Sequence, residues 1–155
     1  MIIDKSDKKA KDAFVNELLL RGYSDVKITK DPADIVAFKN GERFYFEIKK
    51  TSASSEYFGA ATLTEWRAAY ANPNNYFFVI CHEINSSFNF IEYTPEEFEK
   101  FSTVPPFKIF FNISLNGHDK ANSTRVNKSA IKLNKENLKK LDDIFMSLKD
   151  NQSNV

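Results

Sequence analysis

A chain of 155 residues is long enough to bury one real core and of a size for one domain. Its hydrophobic share of 42% and charged share of 28% exclude wholesale disorder, and only four glycines exclude a fibrous or linker-dominated chain. A formal net charge of +1, from 22 basic and 21 acidic residues, excludes a protein that coats nucleic acid through bulk positive charge; such a partner requires the basic residues to gather on one face.

Fifteen phenylalanines and six tyrosines favour pleated, half-buried surfaces, so a sizeable sheet is expected. The single cysteine, Cys81, allows no intrachain disulfide and fits a reducing compartment. Residues 1–14 contain no apolar run suited to a signal peptide. Nowhere does the chain approach the roughly 18 apolar residues of a membrane span. A soluble, cytoplasmic protein without a membrane partner is the expectation.

Residues 6–21 carry Ala10, Phe14 and Leu18, with Val15 and Leu19 beside them, at helical spacing. Ser6 or Asp7 suits the cap, and Gly22 stands where a left-handed residue ends a helix. Strands are expected at 25–29, 35–38 and 43–49, the last two joined through Asn40-Gly41, a strong two-residue turn signal. Residues 51–61 read as a loop of small and hydroxyl side chains. Thr62-Leu-Thr-Glu65 then has capping-box spacing, with Thr62 or Thr64 as the cap, and opens a helix to about Ala71. Strands follow at 76–82 and 88–93, and Thr94-Pro95 opens a short helix. A strand at 107–115, a polar loop or lid at 116–127 and an amphipathic helix at 134–148 complete the chain. The expected fold is α/β, a mixed central sheet flanked by helices, with 1–149 as one domain and 150–155 as a flexible tail.

The chemistry concentrates in residues 31–51, DPADIVAFKNGERFYFEIKKT. Antiparallel pairing about Asn40-Gly41 brings Asp34 opposite or near Glu47, thirteen positions away. Side chains alternate along a strand, so Glu47 and Lys49 share a face and Ile48 takes the other. Two carboxylates and the Ile48 backbone carbonyl form a hard, oxygen-rich donor set suited to Mg²⁺ or Mn²⁺ and not to zinc. Lys49 adds a cation that positions water and holds developing negative charge. Hydrolysis of a phosphodiester asks for this combination.

An Asp opening one strand and Glu-x-Lys on its partner resembles the PD-(D/E)xK nuclease superfamily, which includes restriction endonucleases and resolvase-like repair nucleases. Residues 47–80, EIKKTSASSEYFGAATLTEWRAAYANPNNYFFVI, are more closely similar to the domain found in proteins related to plant NO VEIN. There a Glu-Val-Lys-like motif precedes a Ser/Thr-rich loop, a helix marked by Leu, Thr and Glu, and a strand opening with Tyr. Glu47, Lys49, Leu63, Thr64, Glu65 and Tyr76 are the matching residues, and the likeness spans roughly residues 31–80. One departure is visible: the Pro-Asp pair is Pro32-Ala33-Asp34, with a residue inserted, and Asp31 competes for the role of Asp34.

The resemblance implies a restriction-endonuclease-like fold and a Mg²⁺- or Mn²⁺-dependent nuclease acting on DNA, with RNA left open, in restriction, phage defence or repair. It implies Asp34 and Glu47 as metal ligands with the Ile48 carbonyl, Lys49 as the catalytic cation, and Glu17 as an auxiliary acid. It also implies Lys50, Thr51, Ser52 and Arg67 as phosphate contacts, Trp66 as a base-stacking surface, and His118, Lys120, Arg125 and Lys128 as a clamp. Cutting both strands of a duplex calls for two sites, which a homodimer would supply.

Plainer readings stand beside each assignment. Asp34, Glu47 and Lys49 also suit an exposed hairpin with a cross-strand ion pair. Glu17 suits a solvated helix face, Trp66 a core position, Glu65 a capping carboxylate and Cys81 a buried strand residue. A nuclease-like module that binds nucleic acid or protein without cutting is the rival function, and a scaffold or immunity protein a further one.

Overall fold

The computed structural model describes residues 5–104, 111, 114–115 and 131–152. The chain divides into two compact units, Met1–Thr103 and Val104–Val155. The first opens with helix α1 (Lys5–Leu20) and continues through β1 (Ser24–Ile28), β2 (Ile35–Lys39), β3 (Glu42–Thr51), α2 (Leu63–Ala71), β4 (Tyr76–Ile84), β5 (Ser87–Tyr93) and α3 (Pro95–Glu99). The five strands form one sheet in the order β1-β2-β3-β4-β5. β3 and β4 run parallel; the other neighbours are antiparallel, so the sheet is mixed. A parallel pair needs a crossover, and α2 supplies it.

The expected α/β architecture is therefore present, because the period-2 alternation of β3 and β4 gives each face its own core. Phe46, Ile48, Val79 and Cys81 point to one side, where Ala10, Phe14 and Leu18 of α1 cover them. Tyr76 and Phe78 point to the other and meet Ala69 and Trp66 of α2 and Phe98 of α3. Phe14 and Phe46 pack edge to face at 5.3 Å between ring centroids, and Phe78 stacks on Phe98 at 4.4 Å.

Local signals fix the element ends. At the end of α1 the Tyr23 amide donates to the Leu18 carbonyl and the Gly22 amide to that of Leu19, with Gly22 at φ +85°, a Schellman closure. Asn40 and Gly41 take φ 52° and 79° between the paired Lys39 and Glu42, as a tight hairpin turn requires. Alanine at Gly41 is expected to cost about 1–2 kcal/mol by urea unfolding, since a β-carbon is strained at that φ. An unchanged midpoint would show that the turn relaxes without cost. The peptide bond Asp31–Pro32 is cis.

The second unit contributes helix α4 (Lys135–Gln152), which carries Leu138, Leu141, Ile144, Phe145 and Leu148 at the expected spacing. It continues through residues 150–152, the start of the segment expected to fray. The strand expected at 107–115, except Phe111, Ser114 and Leu115, lies outside the described residues, as does the 116–127 segment together with Lys128. Among the described residues no helix is long and apolar enough to cross a membrane.

Candidate functional site

The hairpin register pairs Ile35 with Phe46, which sets Asp34 across from Glu47, as the turn position predicts. β2 begins only at Ile35, and just before it the Asp34 side chain takes the place of a backbone acceptor: the Ile48 amide donates to Asp34 Oδ2 at 3.0 Å. Along an extended strand a residue's carbonyl points to the same edge as its own amide. The Ile48 carbonyl thus also faces the side where β2 stops.

Glu47 and Lys49 rise on the opposite face from Ile48, the face of Tyr76 and Phe78. Glu47 is only 7% exposed. The Lys49 ammonium lies 3.4 Å from Glu47 Oε1 and 2.8 Å from Glu65 Oε2. Burial, then the neighbouring charges of Asp34 and Glu65, push the Glu47 carboxyl up to about 8 against the pull of Lys49. Burial alone would lower the Lys49 ammonium, but Glu65 and then Glu47 hold it above its ordinary value. Burial would raise Glu65, but Lys49 and the Thr62 amide hold it below the usual carboxylate range. The cluster thus sets Glu47 and Glu65 against the Lys49 ammonium, with Asp34 beside them, and burial together with the neighbouring acids favours the neutral form of Glu47.

Two participants carried no sequence signal for their role. Glu65 was legible as a capping acid, and its carboxylate does accept from the Thr62 amide at 2.8 Å. Its contact with Lys49 depends on how α2 crosses back over the sheet. Lys11 of α1 reaches Asp34 Oδ1 at 2.8 Å and Asp7 at 3.0 Å. Only the Asp7–Lys11 spacing of four was readable beforehand. Tyr76 is fully buried, and its phenol is raised by burial and by the charges of Glu47, Glu65 and Asp34, which keeps it neutral.

The structure does not bring every expected residue here. Glu17 pairs with Arg21 at 2.9 Å, and Arg21 reaches on to Glu92 of β5. Six residues beyond Lys11, Glu17 sits about 9 Å further along the helix axis. Asp31 is exposed, whereas the Asp34 side chain is 18% exposed. Trp66 packs on Phe78 at 4.8 Å and serves the core. Cys81 is buried, and its thiol is pushed up to about 12. Lys50 pairs with Glu83 at 2.7 Å, and the Thr51 hydroxyl accepts from the Ala53 amide. Lys50, Thr51 and Ser52 nonetheless line, with Asp7, Ile48, Lys49 and Tyr57, an open cleft of about 660 Å³. Arg67 is exposed on α2 and is not among the cleft residues.

Among the described residues no group of three or more His, Cys, Asp or Glu is placed to hold a metal ion. The donor set read from the sequence is of another kind, two carboxylates and a carbonyl. Its chemistry suits a hard divalent cation: all donors are oxygen, and burial, then the charges of Asp34 and Glu65, raise the Glu47 carboxyl, an effect that a bound cation would oppose.

The fold and the site define a mixed α/β domain with a buried carboxylate–lysine cluster on its central hairpin. The family model described as Protein NO VEIN, C-terminal, matches residues 6–93, more than half of the chain, and the chain belongs to this family. The matched span runs from α1 to the end of β5 and so contains the whole cluster. No curated protein and no solved structure is similar enough to the chain to count as a match.

Proposed function

We propose that this domain is a metal-dependent nuclease that hydrolyses phosphodiester bonds, of DNA in the first instance. The observation that carries the reading is the convergence of Asp34, Glu47 and Lys49 from one hairpin, with Glu47 buried beside the ammonium. These are the residues through which the sequence resembles the PD-(D/E)xK nucleases. Asp34, Glu47 and the Ile48 carbonyl would hold Mg²⁺ or Mn²⁺, which when bound supplies the charge that polarises a phosphate. Lys49 orients the attacking water and holds the negative charge that develops as it attacks. Lys50, Thr51 and Ser52, lining the cleft beside it, suit the strand's phosphates.

Supercoiled plasmid is the substrate to test, in Mg²⁺ and then Mn²⁺, with Glu47→Ala beside the wild type. Nicking by the wild type alone, lost on chelation, is the expected result. Equal nicking by both proteins would remove the hairpin from the chemistry. A second reading, a nuclease-like module that binds without cutting, is favoured by one observation: the Lys11 ammonium already sits on Asp34 Oδ1. In that case neither protein cuts, and both bind nucleic acid with the same salt dependence.

A further inference from the structure

The chain contains two capping boxes of the same local design. At α2 the Thr62 hydroxyl accepts from the Glu65 amide while Glu65 accepts from the Thr62 amide; at α3 Thr94 and Glu97 do the same. Such a box needs no charge on its acid, because glutamine closes it as well as glutamate. The two boxes differ in what else meets the acid. Glu97 is exposed, and its carboxylate turns back on the Thr94 amide and hydroxyl. Glu65 is half-buried, and its Oε2 receives the Lys49 ammonium as well as the Thr62 amide, each at 2.8 Å.

A lysine side chain loses substantial rotamer freedom when fixed. Here the cap fixes the glutamate first, since the box closes within the first turn of α2, and the glutamate then presents a placed oxygen to the lysine. The ammonium, 15% exposed in its side chain, stands between that oxygen and Glu47 Oε1. We infer that Glu65 is a positioning residue for the nuclease reaction, holding the Lys49 ammonium at Glu47 by means of the α2 capping box. This rests on the nuclease reading; Glu65 acts through Lys49 and touches no substrate.

Glu65→Gln keeps the box and removes the charge, and Glu97→Gln makes the same change in the box without a lysine. The readouts are melting temperature, kcat and KM for plasmid nicking in Mn²⁺, and the lysine Nζ correlation spectrum of ¹⁵N-lysine-labelled protein. Glu65→Gln is expected to stay folded but to melt a few degrees below wild type, since the charge that meets Lys49 is gone, and, assayed well below both melting points, to lower kcat roughly tenfold to a hundredfold at unchanged KM. It is also expected to lose the Lys49 ammonium resonance that the wild type shows. Glu97→Gln changes none of these. Wild-type kcat in Glu65→Gln, or a parallel fall of melting temperature and kcat in both variants, overturns the assignment. Should Glu65→Gln not fold, Glu65→Asp, which keeps the charge and shortens the reach by one methylene, is expected to show the same loss of kcat and resonance, and wild-type values of both overturn the assignment. A wild type that does not cut sinks the nuclease reading alone. The resonance then decides: its loss in Glu65→Gln supports the positioning role, and its persistence overturns it.

Discussion

Lys49→Ala is expected to lower plasmid cleavage by about a thousandfold or more while the chain still folds. The ammonium is the one cation that meets Glu47 and Glu65 directly in the described cluster, so no neighbour stands ready to hold negative charge on the reacting groups. Stripping a buried ion pair of its cation ordinarily costs about 3–5 kcal/mol. A smaller loss, about 1–3 kcal/mol by urea unfolding, is expected here. Glu47 already favours its neutral form, so the two acids left facing each other need bear only one charge. Lys49→Arg keeps the charge but replaces a compact ammonium with a planar fork, and should restore stability more fully than turnover. Full cutting by Lys49→Ala would end the proposed mechanism whatever its effect on stability.

In metal-free protein, Glu47→Gln is expected to be more stable than wild type by a few kcal/mol at pH 8, about equal to it near pH 4.5, and intermediate between. The unfolded chain releases the Glu47 proton near the ordinary 4.5, whereas the folded chain keeps it to about 8. Between those values the folded state binds more protons, so wild-type stability falls as pH rises, by at most about 1.4 kcal/mol per unit. Below the window both states are protonated and above it neither is, so the slope from this group vanishes at both ends. Glu65 works in the opposite sense: its depressed carboxyl adds stability above the ordinary 4.5 that is lost as pH falls. Denaturation at pH 5, 6.5 and 8 in EDTA therefore isolates Glu47. Parallel stability curves for the two proteins would contradict the burial of a proton there. Mn²⁺ added at pH 8 should stabilise the wild type and not Glu47→Gln, since a ligand that binds only the native state must stabilise it.

The legible parts of this fold are those that neighbouring residues decide. Asn40-Gly41 fixes the turn, the turn fixes the register, and the register alone sets Asp34 against Glu47. Thr62 and Glu65 mark the start of α2 for the same reason, because a capping box closes within four residues. What escaped depends on contacts between elements distant in sequence. α1 lies with its first turns at Asp34 and its end towards Glu92, so Lys11 reaches the cluster and Glu17 does not. Helical spacing puts residues on a face but does not tell which end of the helix meets the site. Trp66 was readable as core on spacing alone, and its ring contacts bear that out.

The hydrogen bond from the Ile48 amide to Asp34 makes a side chain the last rung of the β2–β3 ladder. The carboxylate that would take part in the chemistry is thereby also a piece of secondary structure. A hairpin that frays from its open end gives up this rung first, so loss of order in the sheet and loss of the site begin as one event. Selection on the reaction would then hold the strand pairing in register as well, with no separate pressure for stability.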